Sequence, residues 1–357
     1  MQPSLMIYGA NGYTGQLVVR LAAERGWRPI VAGRNAAAIG ALAARYNVPY
    51  CVLGLEDASA LDSALHDVSV VLHCAGPFAH TSRPMAEACL RTRTHYLDIT
   101  GEVAVFEALA LRDMQARAAG IMLLPGAGFD VVPSDCLALY LKQQLPGAQR
   151  LTLAFQATGG VSWGTATTAV EHLGSPTMVR RGGKLVPLAG APPTRRIDFG
   201  RGPVATTAIA WGDLVTAYWS TGIPHIEVYA ALGGAAQGVM MLTQPLRSLL
   251  AGRVAQALLK RLIRTQPPGP SDATRAQGQS LLWGEAEDAT GKRHCARLRT
   301  PEAYTLTAHT ALALAERAMN GGAVPGFQTP AQAYGADFIL DFPGVTREDI
   351  PCPPSSH

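Results

Sequence analysis

Apolar runs short enough to be strands alternate, over the first third of the chain, with longer segments whose apolar positions recur every third or fourth residue. The first run ends at Tyr8 and leads into a helical pattern over 16–24. A second apolar run, 28–34, precedes a helical pattern over 36–46, and the alternation continues with a strand near 50–53, a helix over 58–66 and a strand over 69–74. Further strands are predicted at 95–99 and 121–125, each preceded by a helix. Short β-rich runs separated by full-length helices specify a parallel sheet with helices on both faces, so the first ~130 residues read as a doubly wound Rossmann domain.

After Pro133 the texture changes. Between 150 and 226 short β-like runs, such as Leu151–Gln156 and Leu214–Trp219, are punctuated by glycine and proline, which suits a mainly antiparallel sheet in a second, α+β domain. A hairpin is expected over 280–299 with its turn at 288–291, followed by an apolar helix over 306–319. The resulting division is a dinucleotide-binding domain over 1–133, a substrate domain over 134–302, and a C-terminal helix and tail over 303–345 that return to the first domain. One stretch differs from the rest: no acidic residue occurs between Glu227 and Asp272, while Arg247, Arg253, Lys260, Arg261 and Arg264 do. Leu246, Leu250, Val254, Leu258 and Leu262 recur every fourth residue, giving an apolar stripe with the cations largely off it. The glycines and Pro245 within 228–246 argue against a membrane-crossing helix. For 246–264 two readings stand: a core-packed helix with a solvated basic face, or a basic amphipathic helix on an anionic membrane surface or an acyl-carrier protein.

The junction after the first strand carries the clearest chemistry. Gly9, Gly12 and Gly15 frame the turn Gly9-Ala10-Asn11-Gly12-Tyr13-Thr14-Gly15 between strand and helix. Such a turn aims backbone N–H groups and the positive end of a helix dipole at one point, which suits a pyrophosphate. Arg34 stands at the end of the second strand, where an acidic residue would hold the ribose 2′-hydroxyl of NAD. A guanidinium there pairs instead with the 2′-phosphate, so the cofactor expected is NADP(H).

Composition narrows the remaining classes. In 357 residues a hydrophobic fraction of 48% supports sizeable cores, and a net charge of +4 without basic–aromatic runs gives no sign of nucleic-acid binding. The six cysteines show no CxxC spacing, so neither a metal site nor a disulfide framework is expected, and reduced thiols in a cytoplasmic protein fit best.

In an open parallel sheet, ligands sit beyond the carboxyl ends of the strands. The segments there are Ala75-Gly76-Pro77-Phe78, whose small residues let backbone approach a nicotinamide, then 95–102, then 126–135. They bring Asp98, Glu102, Asp130 and Asp135 to one edge, with Tyr96 and His95 as candidate proton donors. Each also has a structural role open to it: Asp98 bonding amides of the next turn, Glu102 and Asp135 opening helices, Tyr96 filling the core. No tyrosine has a lysine four residues on, so the tyrosine–lysine pair of short-chain dehydrogenases is absent.

Together, the glycine turn with Ala32-Gly-Arg34, Ala75-Gly-Pro-Phe78, His95-Tyr-Leu-Asp-Ile-Thr-Gly-Glu102 and Gly128-Phe-Asp-Val-Val-Pro-Ser-Asp135 resemble the saccharopine dehydrogenase-like oxidoreductases. Within that family they are most similar to the group holding the mycobacterial trans-acting enoyl reductases. The likeness extends through Ser162-Trp-Gly-Thr165, Gly269-Pro-Ser271, Tyr304-Thr-Leu-Thr307 and Gly326-Phe-Gln-Thr-Pro330. It implies hydride transfer from NADPH to a polarised C=C or C=N bond but supplies no catalytic residue; by their place along the chain Tyr96, His95 and Asp98 are the candidate catalytic groups, with Asp130, Ser162 and Thr165 as candidates on the substrate side. The saccharopine-forming enzymes must hold amino-acid carboxylates. Arg180, Arg181, Arg195 and Arg196 read as loop charges rather than a matched set, which favours an apolar enoyl substrate. An imine reductase or amino-acid dehydrogenase, and an NADP(H)-binding protein without turnover at a lipid surface, are the alternatives. A homo-oligomer is compatible with either enzyme.

Overall fold

The computed structural model describes residues 4–231 and 252–353. Its contacts divide the chain into two units, residues 1–132 with 304–333 and residues 133–303 with 334–357.

The first unit is built on a seven-stranded sheet. Its strands are β1 (Leu5–Tyr8), β2 (Ile30–Gly33), β3 (Tyr50–Val52), β4 (Val70–His73), β5 (His95–Asp98), β6 (Met122–Leu124) and β15 (Gly326–Phe327). They run in the order β15-β6-β5-β4-β1-β2-β3, every pair parallel. Helices α1 (Tyr13–Glu24), α2 (Ala36–Tyr46), α3 (Ala58–Leu65), α4 (Phe78–Thr92), α5 (Val103–Ala110) and α6 (Asp113–Ala119) make the crossovers. All residues of β1 and β4 are buried, which explains why these strands are apolar runs without alternation. Helix starts follow local chemistry: Asn35 accepts from the Ala38 N–H and Asp57 from the Ala60 N–H, both at 3.0 Å. The sheet is not finished at residue 133. Its last strand, β15, lies some 200 residues after β6 and pairs with it, Gly326 opposite Met122, while the Phe327 N–H donates to Asp113 at 2.8 Å. A two-residue strand has no periodicity to reveal it.

The second unit holds a mixed sheet of nine strands: β7 (Ala148–Ala157), β8 (Met178–Arg181), β9 (Lys184–Pro187), β10 (Thr194–Asp198), β11 (Pro203–Ala208), β12 (His225–Ala230), β13 (Gln279–Asp288), β14 (Arg293–Pro301) and β16 (Thr346–Ile350). The main path runs β10-β11-β12-β7-β13-β14-β16, with β8 beside β12 and β9 on β8. All pairings are antiparallel except β12 with β7. Its helices include α7 (Val132–Gln144), α8 (Trp163–Glu171), α9 (Asp213–Thr221), α10 (Arg253–Ile263) and α11 (Asp272–Gln277). The hairpin expected over 280–299 is β13–β14, and the Asp288 carboxylate closes its turn by accepting from the Thr290 and Lys292 N–H groups.

Three expectations need correction. Residues 214–219 form helix α9, not a strand: Gly212 precedes it, Gly222 ends it at φ 68°, and burial of Asp213–Ala217 and Thr221 outweighs the β propensity of Val, Thr, Tyr and Trp. The segment 303–345 divides. Helix α12 (Ala303–Arg317) and β15 serve the first unit, but residues from 334 belong to the second, where β16 pairs with β14 and Tyr140 donates to Asp349 at 2.8 Å. Finally, not all thiols are free, since Cys295 and Cys352 form a disulfide. Register explains a pairing that spacing hides: Cys295 lies opposite Ile350, two residues before Cys352. Of the basic stretch, 232–251 lie outside the described residues, and 253–263 form α10. Among the described residues no helix is long and apolar enough to cross a membrane.

The core of the second unit includes Ile197, Phe199, Tyr229, Leu281, Trp283 and Cys295. Beside it Glu285, 6% exposed, accepts from Arg195 at 2.8 Å and Arg293 at 3.2 Å, and Arg195 lies over the Trp283 ring. Removing this one anion leaves two cations with a shared buried partner gone. Glu285→Ala is expected to destabilise the protein by about 3–5 kcal/mol in urea unfolding followed by tryptophan fluorescence.

Candidate active site

The glycine turn is shaped by contacts that admit no side chain. Gly9 takes φ 78°, and a Cβ there would lie 2.7–2.9 Å from the Ala75 backbone and methyl. One added to Gly15 would strike the Gly9 carbonyl. The Gly9 and Ala10 N–H groups both donate to the Ala32 carbonyl, at 2.8 and 3.2 Å, and Gly12 donates to Gly9. Helix α1 then starts at Tyr13 with Gly12 as its N-cap, no capping side chain and no acidic residue in its first turn. An uncapped helix start behind a glycine cradle fits an anionic pyrophosphate. Ala10, Asn11 and Thr14 complete this loop, with the Asn11 carbonyl held by the Gln16 side chain at 2.9 Å.

The end of β2 touches the same turn, for a Cβ on Gly33 would lie 3.0 Å from Asn11 Oδ1. Arg34, the next residue, is exposed and has no ion pair among the described residues. Burial pushes the Tyr8 hydroxyl, which donates to the Leu53 carbonyl at 3.2 Å, up to about 12 against the pull of the Arg34 charge. The residues present thus fit NADP(H): Gly9–Gly15 for the diphosphate, Arg34 for the 2′-phosphate, and Ala75, Gly76, Pro77 and Phe78 beside them. Backbone order in that last segment comes from the Cys74 N–H on Tyr8 and the Thr81 hydroxyl on Ala75, at 2.8 and 2.6 Å.

The acidic cluster is largely structural. Tyr96 is fully buried, its hydroxyl donates to Asp98 at 2.7 Å, and burial pushes its pKa well above the usual tyrosine range. Asp98 also accepts from the Thr100 N–H at 3.0 Å and the Gly126 N–H at 2.9 Å. Burial raises its pKa to about 6 against the pull of these donors. Glu102 accepts from the Phe78 and Ala79 N–H groups at 2.7 and 2.9 Å, so a carboxylate already occupies the start of α4. His95 begins β5, at the edge of the sheet opposite the glycine turn, and its Nδ1 accepts from the Met122 N–H at 3.0 Å. Neither of the expected proton donors is therefore placed for that role: Tyr96 is sealed and committed, and His95 is at the wrong end of its strand.

Asp130 differs from its neighbours. It follows β6 on the carboxyl edge, is part-exposed, and one carboxylate oxygen lies over Gly101, 2.7 Å from where a Cβ there would be. Burial raises its pKa to about 7, and the charge of Glu102 adds to the rise. Asp135, in the second unit, accepts from the Ser220 hydroxyl at 2.6 Å. Ser162 and Thr165 are also in the second unit, where Ser162 caps α8 by accepting from the Thr165 N–H at 3.2 Å. Sequence reasoning missed His73, the last residue of β4, because it closes an apolar run and belongs to no motif. Its ring is enclosed by Tyr8, Phe78 and Tyr96, both nitrogens are buried without a hydrogen-bond partner, and burial lowers its pKa to about 3. The free thiols Cys51, Cys74, Cys89 and Cys136 are pushed up by burial, so none is activated as a nucleophile.

Residues 5–124, the span from β1 to β6 that carries every feature of this edge except Asp130 and its loop, match the saccharopine dehydrogenase NADP binding domain. Over this span the chain is similar to the saccharopine dehydrogenase-like oxidoreductases. A Rattus norvegicus protein named saccharopine dehydrogenase-like oxidoreductase is 28% identical over a stretch that covers 40% of this chain and 38% of the rat protein. A Mycobacterium tuberculosis protein named as a candidate trans-acting enoyl reductase is 26% identical over 94% of both chains. The trans-acting enoyl reductase of Mycobacterium leprae is 32% identical over 37% of this chain and 33% of its own. Among solved structures, the apo L-Glu-forming saccharopine dehydrogenase of Saccharomyces cerevisiae superposes with a TM-score of 0.65 at 13% identity, covering 98% of this chain and all of that one, which shows a shared fold. The cofactor of this family domain is NADP(H). Arg34→Ala is expected to raise the KM for NADPH by roughly tenfold or more while leaving that for NADH within about twofold, as steady-state kinetics with both cofactors will register.

Proposed function

We propose that the protein is an NADPH-dependent reductase of a carbon–carbon double bond conjugated to a carbonyl, of the enoyl type, on a largely apolar substrate. When bound, NADPH supplies the hydride. What the chain itself must supply is a rigid cradle for the cofactor and a proton for the carbon that does not take the hydride. Asp130 carries this reading. It is the part-exposed carboxyl of the edge, and it holds its proton to about pH 7, so it can act as an acid at neutral pH.

The choice of C=C over C=N is supported by the state of the arginines. An amino-acid-derived imine carries carboxylates that need convergent guanidinium groups. Here Arg180 is buried over the Tyr218 ring and donates to the Leu214 carbonyl, and Arg181 pairs with Glu227. Arg195 is committed to Glu285, and Arg196 donates to the Pro203 carbonyl. They lie on β8 and β10 rather than in loops, each answering a need of its own sheet. The mycobacterial relative that aligns along 94% of the chain bears an enoyl reductase name, which supports the same reading. Such substrates partition into lipid, so a peripheral membrane contact would suit the enzyme.

NADPH oxidation with 2-enoyl thioesters of increasing chain length, set against keto acids plus amino acids, tests the substrate class. Turnover with the thioesters is expected. Turnover confined to keto acid plus amine, or tight NADPH binding with no turnover on either panel, would overturn the reading. For the acid, kcat should fall as pH rises past about 7. Asp130→Asn should lower it by about 10²–10⁴-fold without weakening NADPH binding, and the pH dependence near 7 should vanish. Stability gives a second check with a defined sign. The folded state keeps the Asp130 proton to about pH 7, whereas the unfolded chain releases it near pH 4, so native stability falls as pH rises through that window. Asp130→Asn should remove that part of the fall in thermal denaturation measured across the window.

A further inference from the structure

Helix α10 has two apolar faces, and its place in the second unit needs only one. It packs against α8, with Leu259 and Ile263 half-buried and Lys260 donating to Glu171 of α8 at 2.6 Å. The Trp163 indole, at the start of α8, donates to the Gln266 carbonyl just beyond α10 at 2.8 Å. Val254, Leu258 and Leu262, one turn apart along the helix, form a ridge on another face and are 76%, 64% and 61% exposed. An apolar ridge this exposed, on a helix already seated by its other side, is a contact surface that no described residue covers.

Charge identifies the partner. At about 100° per residue, Arg261 falls within one side-chain width of the ridge and Arg264 beyond it, while Lys260 lies on the α8 side. Arg261 and Arg264 are exposed, and no acidic residue occurs in the sequence from 228 to 271. Glu171, the acidic group facing the helix, is taken by Lys260. Leucines that can enter an acyl boundary and arginines at the level of the headgroups make the two-part signature of an interfacial helix. A straight ridge rather than a groove needs no shaped counterpart, and this favours a lipid surface over a protein. We propose that α10 docks the protein on anionic phospholipid membranes through Val254, Leu258 and Leu262, with Arg261 and Arg264 holding the headgroups.

The test does not depend on the chemistry assigned above, because it needs no turnover. The full-length protein is sedimented with vesicles of phosphatidylcholine alone and of phosphatidylcholine with phosphatidylglycerol, at low and high salt. Binding only to the anionic vesicles, weakened by salt, is expected. Leu258→Ser/Leu262→Ser should abolish it, and Arg261→Gln and Arg264→Gln should each weaken it about fivefold. NADPH binding, which belongs to the first unit, should be unchanged in all variants and certifies that they fold. Failure to sediment with anionic vesicles at low salt, or sedimentation indifferent to both sets of substitutions, would overturn the proposal. So would Leu258- and Leu262-dependent self-association in light scattering, or binding to an acidic acyl-carrier protein in place of vesicles, each naming a different occupant.

Discussion

Two buried carboxylates hold the carboxyl edge of the parallel sheet together. Asp98 gathers the amides of Thr100 and Gly126 and the hydroxyl of Tyr96, and Glu102 gathers the first two amides of α4. Between them they fix the ends of β5 and β6 and the start of α4. Loops at such an edge are otherwise free to move, since nothing in the sheet ladder reaches them. Because α4 begins at Phe78, Glu102 also fixes the segment from Ala75 that Gly9 must meet at van der Waals distance. The cofactor cradle is thus rigid for reasons that lie two strands away from it.

The same arrangement separates structural carboxylates from chemical ones. Every proton or amide spent on Asp98 and Glu102 removes them, and Tyr96 with them, from reaction chemistry, and packing closes the site over Tyr96. Yet the charge of Glu102 is still felt. It raises the pKa of both Asp98 and Asp130, and only Asp130 combines that rise with exposure. A buried anion held by backbone donors can therefore tune a neighbouring carboxyl.

Much of the first unit was legible because its signals are local. Period, caps and the glycine spacing lie within a few residues of what they determine, and α2 runs from Ala36 to Tyr46 as its pattern indicates. Two of the misses are non-local. Strand β15 is two residues long and gains its meaning from β6, and the partner of Cys295 is set by the β14–β16 register. The run 214–219 has strand composition, yet its glycine boundaries and the burial it achieves make it a helix. In the site, the phosphate turn and Arg34 were readable as chemistry, since backbone geometry follows from glycine and charge from arginine. The roles of Tyr96 and His95 were not. A tyrosine in a motif looks the same whether its hydroxyl faces a substrate or an aspartate two residues on, and a strand's two ends differ only once its direction in the sheet is known.

The arginines of the second unit show the same ambiguity resolved in opposite ways. Arg180 and Arg195 are drawn into the sheet by Tyr218, Trp283 and Glu285, where stacking and pairing compensate the desolvation of a guanidinium. Arg261 and Arg264, in a stretch from which acidic residues are missing, have no such compensation among the described residues and stay at the surface beside exposed leucines. Acidic and aromatic neighbours, not the arginines themselves, decide which cations become part of the fold and which are left to meet something else.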